Sequence, residues 1–529
     1  MASIVQPCDA GVILAGPPPA FFPAAARRWV LVATVLGSSL AFIDGTVVNL
    51  ALPALQSELG AGVADMQWVI EAYALVLATL LLVGGVLGDR YGRRRVYAAG
   101  IALFAAASLA CGCARSIHEL IVLRAVQGIG AALLVPGSLT LISASFPRSE
   151  RGRAIGTWSG FSSMTMASGP IVGGWLIDHL SWRWAFFLNL PIALVVLALL
   201  YWRVPESRDP DAPRRLDWRG ALLVTSGLAA VVYALIDSPF RGWLDPRVMG
   251  CLALGIIALG GFVAAEARGE APMLPLELFR SSDFSGANAL TFLLYGALSA
   301  AFFFLPLDLI QVHGYSSTAA GAAFLPFVVV VSLFSRWSGG LMDRFGGRLP
   351  LVVGPIVAAF GFALIAVPGV SGGYWVTFFP GILVLGIGMA VSVAPLTTTV
   401  MNAVDVDRSG AASGINNAVA RLAGVLSVAV LSIVVVHTFS RSVDIQLDAL
   451  DVSPALRETV RAEYVKLAGA GIPSGSDVRQ GEAIRRIIAE SFVRSFRTML
   501  SIAALLAVAS SVIAALTIGA RSPDTRADP

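Results

Sequence analysis

Runs of roughly twenty apolar residues, each long enough at 1.5 Å per residue to cross a ~30 Å hydrocarbon core, follow one another along almost the whole chain. They fall near 29–52, 67–87, 96–114, 119–143, 154–178, 184–204, 218–237, 247–267, 287–312, 319–342, 350–368, 375–402, 411–437 and 495–519. Of the 529 residues 57% are hydrophobic and only 13% charged, where a soluble domain carries about 25% charged residues. A soluble chain of this make-up could not cover its surface. The sequence therefore predicts an all-α polytopic membrane protein with fourteen transmembrane helices.

Arginines set the expected orientation, because basic residues in short loops stay on the cytoplasmic side. The loops after the second, fourth, sixth and tenth spans read GDRYGRRR, PRSERGR, RVPESRDPDAPRRLDWR and DRFGGR; those after the first, ninth and eleventh hold no basic residue. Even-numbered loops are expected inside, and both termini cytoplasmic. Residues 1–28, with Arg27 and Arg28 only at their end, read as a cytoplasmic leader and not as a secretory signal, which carries its charge first. Residues 521–529 read as a cytoplasmic tail. The long segment 439–493 falls outside and holds short helical patterns, one of them with Ser453 as cap and Pro454 at its first position.

Gly85, Asp89, Arg90, Gly92 and Arg94 recur as Gly339, Asp343, Arg344, Gly346 and Arg348 at one constant offset, and QGIGAA in the fourth span is echoed by LGIGMA in the twelfth. The first loop follows span two and its echo follows span ten. Six spans therefore repeat as six, with two more inserted between them. Parallel six-helix repeats are the plan of a two-bundle transporter. The division is an N-terminal bundle (29–204), a linker with two inserted helices (205–267) and a C-terminal bundle (268–520).

Other chemistries lack their residues. Lys466 is the single lysine, so there is no Gly-Lys-Ser/Thr phosphate loop, and no H-E-x-x-H pair or histidine cluster points to an enzyme. Cys8, Cys111, Cys113 and Cys251 make no metal pattern. The formal charge of +4 follows from loop arginines and membrane topology, not from nucleic-acid binding. Neither a cofactor nor a metal is expected.

An acid at the C-terminal end of a helix faces the wrong pole of that helix's dipole. Asp89 therefore needs a partner, either a loop arginine or the N-terminal end of a neighbouring helix, and a bond of that kind between the halves would be a conformational latch. Asp343 would be the same device in the second half. The loop arginines either join in it or anchor the turn among headgroups.

Charges inside the spans cost a few kcal/mol or more and mark functional candidates. Asp44 lies 16 residues past Arg28, ~24 Å into the first span. Glu71 and Arg124 sit just inside spans two and four, so all three fall in the outer half of the first bundle. A carboxylate–arginine group in a low dielectric can hold or release a proton as its neighbours move; the plainer reading of Asp44 and Arg124 is a structural ion pair. Glu71 is either a second proton site, a counter-charge for a cationic substrate, or an interfacial residue beside Trp68. Asp308 and Arg421 are the second half's candidates, or interfacial residues. Gly169, Pro170, Gly173 and Gly174 in span five allow close helix approach and a bend. His118, His179, His313 and His437 map to outer span ends, where they serve as pH sensors or as interfacial filler. Tyr73, Trp158, Phe161, Asn288, Phe292 and Asn416 are candidates for lining a central cavity.

The stretch GVLGDRYGRRRVY resembles the loop signature of the major facilitator superfamily. Together with FIDGTVVNLALP, LRAVQGIGAALLVPGSL, SGPIVGG and WRWAFFLNLPI, it makes residues 29–520 look like the 14-span drug:proton antiporter branch, the EmrB/QacA type. The resemblance implies a major facilitator fold of two six-helix bundles rocking about a central cavity, with two extra helices beside them. It implies export of a hydrophobic or cationic drug, or an antibiotic, in exchange for protons, with the proton gradient as energy source and the cell (inner) membrane as location. Asp44 and Arg124 match the family's proton-coupling or substrate positions, and Gly169–Gly174 its antiporter motif; Glu71 has no such counterpart, and Thr165 stands where the motif usually has a glycine. An exporter of a lipid or metabolite shares these features, and a non-transporting sensor shares fewer. The expected partners are a small amphipathic molecule, protons and membrane lipid, and an adaptor protein is compatible with the layout.

Overall fold

Helix ends are written in the local sequence. Ser116 accepts a hydrogen bond from the Glu119 amide, Asp217 from Gly220, and Asp245 from Arg247 just ahead of Pro246, each satisfying an orphan N–H of a first turn. At the other ends, Gly60 (φ 65°) and Gly92 (φ 110°) adopt backbone conformations that side chains disfavour. The computed structural model describes residues 23–208, 217–269, 274–405, 408–450, 452–471 and 478–519, and every regular element among them is a helix.

We number the long helices α1 (Ala24–Leu59), α2 (Val63–Tyr91), α3 (Arg93–Cys113), α4 (Ile117–Ser145), α5 (Arg148–His179), α6 (Asn189–Arg203), α7 (Trp218–Arg241), α8 (Pro246–Arg268), α9 (Ser282–Leu307), α10 (Leu325–Phe345), α11 (Arg348–Ile365), α12 (Phe379–Asn402), α13 (Ser409–Asp448) and α14 (Val478–Thr517). Asp308–Val312 extend α9 by a π-helical turn, and a short helix, Ser317–Ala322, leads into α10. Thirteen of the described helices are long and apolar enough to span a membrane. The expected fifth span, α5, has 32 residues, but its glycines, serines and threonines leave it less apolar.

Two boundaries differ from the sequence reading. Arg27 and Arg28 lie in the first turns of α1 and not in a leader; residues 1–22 and the tail 520–529 fall outside the described residues. Helices α13 and α14 each run 40 residues, about 60 Å at 1.5 Å per residue. Much of the expected outer segment 439–493 is therefore helical continuation. Beyond the apolar spans the pattern becomes one-sided, and Phe439, Val443 and Leu447 of α13 bury themselves as do Ile484, Ile488 and Phe492 of α14. Ser453 caps the short helix Pro454–Ala462 as expected.

The sequence repeat is also a packing repeat. A methyl group on Gly100 of α3 would lie 3.0 Å from the Gly130 carbonyl oxygen of α4, and one on Gly354 of α11 would lie 2.9 Å from the Gly388 carbonyl of α12. Without Cβ atoms each pair of backbones crosses in contact. Helix α7 packs on the seam between the halves: its Leu228, Val232 and Ile236 bury against Ala74 and Leu75 of α2 and Val425 and Ala429 of α13. Helix α8 packs on α7, and its apolar face is largely exposed.

Candidate transport site

Two ends of the bundle serve as landmarks. The arginine end carries the loops at 92 and 346; the capped end lies under segment 452–471. In the first bundle, Asp44 of α1 and Arg124 of α4 are 0% and 1% exposed and meet at 2.6 Å. Gln127, one turn from Arg124, accepts from the guanidinium at 2.7 Å and donates to the other Asp44 oxygen at 2.8 Å. The Nε of Arg124 donates to the Val69 carbonyl of α2 at 2.9 Å, and its guanidinium lies 4.3 Å from the centre of the Tyr73 ring. Every oxygen of Asp44 is thus satisfied. The network ties three helices together, and its charges cancel where water does not reach.

The same part of α1 rests on α5. A methyl at Gly169 would lie 3.1 Å from Thr46 Oγ, and one at Gly173 2.3 Å from Val47 Cγ1. The opposite face of this stretch of α5 meets the second bundle: a methyl at Gly174 would lie 2.5 Å from the Ser317 carbonyl oxygen, and one at Gly321 2.4 Å from the Pro170 carbonyl. The motif is a thin spacer between the helix of Asp44 and the other half. Thr165, in place of the usual glycine, bonds the Ser39 hydroxyl of α1 at 3.1 Å.

Further bonds close the capped end. The Asp178 carboxylate at the end of α5 accepts from the Ser317 and Thr318 amides at 2.8 Å each and from the Thr318 hydroxyl at 2.6 Å. Gln311 donates to Gln56 of α1 at 2.7 Å, and Gln56 donates to the Lys466 carbonyl of the cap at 3.0 Å. Gln67 of α2 donates to Ser432 of α13. Toward the arginine end, by contrast, methyl groups at Gly152, Gly156 and Gly160 of α5 would meet open space.

A family profile described as the Major Facilitator Superfamily matches residues 34–428. The chain belongs to the major facilitator superfamily. It is 32% identical to the tetracenomycin C resistance and export protein of Streptomyces glaucescens, over 95% of this chain and 93% of that one. The multidrug resistance protein Stp of Mycobacterium tuberculosis is 34% identical over 90% of each, and the puromycin resistance protein pur8 of Streptomyces alboniger 37% over 77% of this chain and 82% of its own. Among solved structures, a bacterial homolog of the human lysosomal transporter Spinster, inward-facing and unoccupied, matches with a TM-score of 0.65 at 17% identity, covering 93% of this chain and 98% of that one. That likeness carries the major facilitator fold.

Within this fold the remaining predicted residues separate. Asp89 pairs with Arg93 at 2.7 Å, so a loop arginine is one of its partners. The Arg94 and Arg95 amides donate to Glu206 at 3.0 and 3.2 Å, which fastens the loop to the chain leaving α6. Gly92 and Gly346 make the turns with positive φ, while Gly85 packs in α2 with Pro136 3.8 Å from where a Cβ would be. Arg90 lies over Tyr91. In the echo Arg344 is exposed, Arg348 bonds the Ala515 carbonyl of α14, and the side chain of Asp343 falls outside the described residues. Asp308 is buried beside His313, Oδ2 to Nδ1 3.3 Å, while His313 Nε2 lies 3.1 Å from the Gly369 carbonyl. Arg421 is buried in α13, and Glu71 lines the seam between the bundles. Asn288 and Asn416, both cavity candidates, bond each other at 3.0 Å. Gln127, Asp178, Gln56 and Gln311 escaped the sequence reading: amides leave no charge signature, and Asp178 sits at a helix end where an acid is ordinary.

Proposed function

We propose that this transporter exports a hydrophobic or amphipathic, often cationic, compound in exchange for protons, by alternating access between its two bundles. The arginine end faces the cytoplasm, both termini lie inside, and the membrane is the cell membrane. One observation carries the reading: the buried Asp44–Arg124–Gln127 network sits on the helix that packs directly against the antiporter stretch sealing the halves.

A proton arriving on Asp44 removes its charge and leaves Arg124 without a counter-ion in a dry site. Breaking a buried ion pair costs about 3–5 kcal/mol, enough to shift a two-state equilibrium by roughly two to three and a half orders of magnitude. Arg124 then turns to other acceptors, α1 shifts on α4, and Ile43–Val47 move against Gly169 and Gly173. Because Pro170 and Gly174 touch Ser317–Gly321 on their other side, that shift reaches the seal at the capped end. Return of the proton to the cytoplasm restores the pair. Relatives named for resistance to and export of antibiotics support a drug as cargo.

The test is transport in liposomes with a pH-sensitive dye inside. An imposed gradient of an exported compound drives proton movement through the wild-type protein and not through Asp44→Asn. Compound flux without proton movement in the wild type refutes antiport.

A further inference from the structure

The seam between the bundles holds an acid that the ion-pair network leaves unused. Glu71 is 1% exposed, and neither carboxylate oxygen has a hydrogen-bond partner among the described residues. Asn49 Oδ1 of α1 is likewise buried and unpartnered. Both residues line a cavity of about 30 Å³ whose other wall comes from the second bundle: Ser299 and Phe303 of α9 and Gly424, Val425 and Val428 of α13. One turn toward the capped end, Gln67 and Ser432 bond across the seam, four residues from Glu71 and Val428 respectively. They form the cavity's roof.

Charged groups on the lining helices are committed elsewhere. Asp44 of α1 is held by Arg124, Asp308 beyond α9 is beside His313, and Arg421 of α13 gives Glu71 no hydrogen bond. The cavity therefore presents three acceptor oxygens, and the rest of its wall is mostly apolar. An unpaired carboxylate in such a site carries a heavy desolvation cost. A ligand that removes it must bring positive charge and N–H donors together. Its charged head must also be small, since 30 Å³ holds about one water-sized group. A primary ammonium has the charge, three donors and that size; an alcohol lacks the charge, and a quaternary ammonium lacks the donors and is too wide.

Resting on the proposed export of small molecules along this seam, we infer that Glu71, with Asn49, is the recognition site for the protonated primary amine of a substrate. Rocking at the capped end parts Gln67 from Ser432 and opens the site to the outside, where the amine leaves.

Three cage compounds of matched shape test this: 1-adamantanamine, 1-adamantanol and the N,N,N-trimethyl-1-adamantanaminium ion, bound at equilibrium to the full-length protein in detergent. The amine binds wild type about tenfold or more tightly than the other two. Glu71→Gln brings it down to the alcohol's level, and Glu71→Asp, which keeps the carboxylate, retains a preference for the amine. Equal binding of amine and alcohol, no binding of the amine to wild type, or unchanged binding in Glu71→Gln each overturns the inference. Proton movement driven by the amine in liposomes, counted only in excess of that in protein-free liposomes because the neutral amine crosses lipid by itself, separates the two claims. Binding through Glu71 without proton movement leaves this site standing and refutes antiport. Proton movement equal in wild type and Glu71→Gln leaves antiport standing and removes Glu71 from it.

Discussion

A methyl group at Gly174 is the smallest change that pushes the two bundles apart. It would sit 2.5 Å from the Ser317 carbonyl oxygen and 2.7 Å from Thr318 Cα, where an ordinary carbon contact is about 3.5–4.0 Å. The backbones of α5 and of the short helix before α10 must therefore separate by about 1 Å. Overpacking of this kind costs about 1–3 kcal/mol, a factor of roughly 5 to 140 in an equilibrium. The strain lies across the seal, so it weakens the state closed at the capped end and favours the one open there. Gly361→Ala is the control: its methyl would lie 2.5 Å from the Leu385 amide nitrogen of α12, inside the second bundle and away from the seal. The assay is the rate at which a membrane-impermeant thiol reagent, added outside, labels Asn49→Cys in a background without the four native cysteines. Gly174→Ala raises that rate at least about fivefold, and Gly361→Ala does not. Equal rates in wild type and Gly174→Ala, or equal acceleration by both variants, would refute the view that this face of α5 seals the halves.

Arg124→Lys keeps a positive charge near Asp44 but cannot hold Asp44, Gln127 and the Val69 carbonyl together. Transport falls at least about tenfold while expression holds, as solute flux in liposomes will show. Gly130→Val and Gly388→Val force equivalent crossings apart in the two bundles, each costing about 1–3 kcal/mol, so thermal unfolding in detergent drops by similar amounts for both. In the cap, burial raises the Glu463 pKa, but the Lys466 side chain and the Gly471 amide outweigh it and leave it below the ordinary carboxylate value of 4.5. A depressed folded-state pKa stabilises the segment above that ordinary value, and the gain is lost as pH falls through the lowered one. Amide protection of residues 464–471, corrected for the intrinsic slowing of exchange as pH falls, is therefore greater at neutral pH than in acid, a difference that Glu463→Gln removes.

Much of this was legible because membranes make sequences explicit. Apolar runs had to be helices, and the glycines of span five had to allow close approach, as Gly173 against Val47 and Gly174 against Ser317 do. The pairing of Asp44 with Arg124 followed from counting depth along two spans, since each charge alone would be too costly. Other features carry no such penalty in the sequence. Asp308 and His313 are five residues apart, a spacing that an α-helix does not bring face to face but the π-helical turn does. The Asp178 cap joins positions 139 and 140 residues apart at helix ends, where polar residues need no explanation. The extensions of α13 and α14 lie past the lipid, where apolarity no longer marks a helix.

Infrared difference spectroscopy of the C=O stretch of protonated carboxyls tests the central claim most directly. The purified wild-type protein is compared with Asp44→Asn, each with and without an exported compound. The account predicts that acidification adds a protonated-carboxyl band to the wild type, that the compound removes it again by restoring the ionised Asp44–Arg124 pair, and that Asp44→Asn lacks this compound-dependent change while still binding the compound. A band change of the same size in Asp44→Asn, or none in a wild type that transports, would contradict it: the Asp44–Arg124 pair would then be structural and the proton would travel elsewhere.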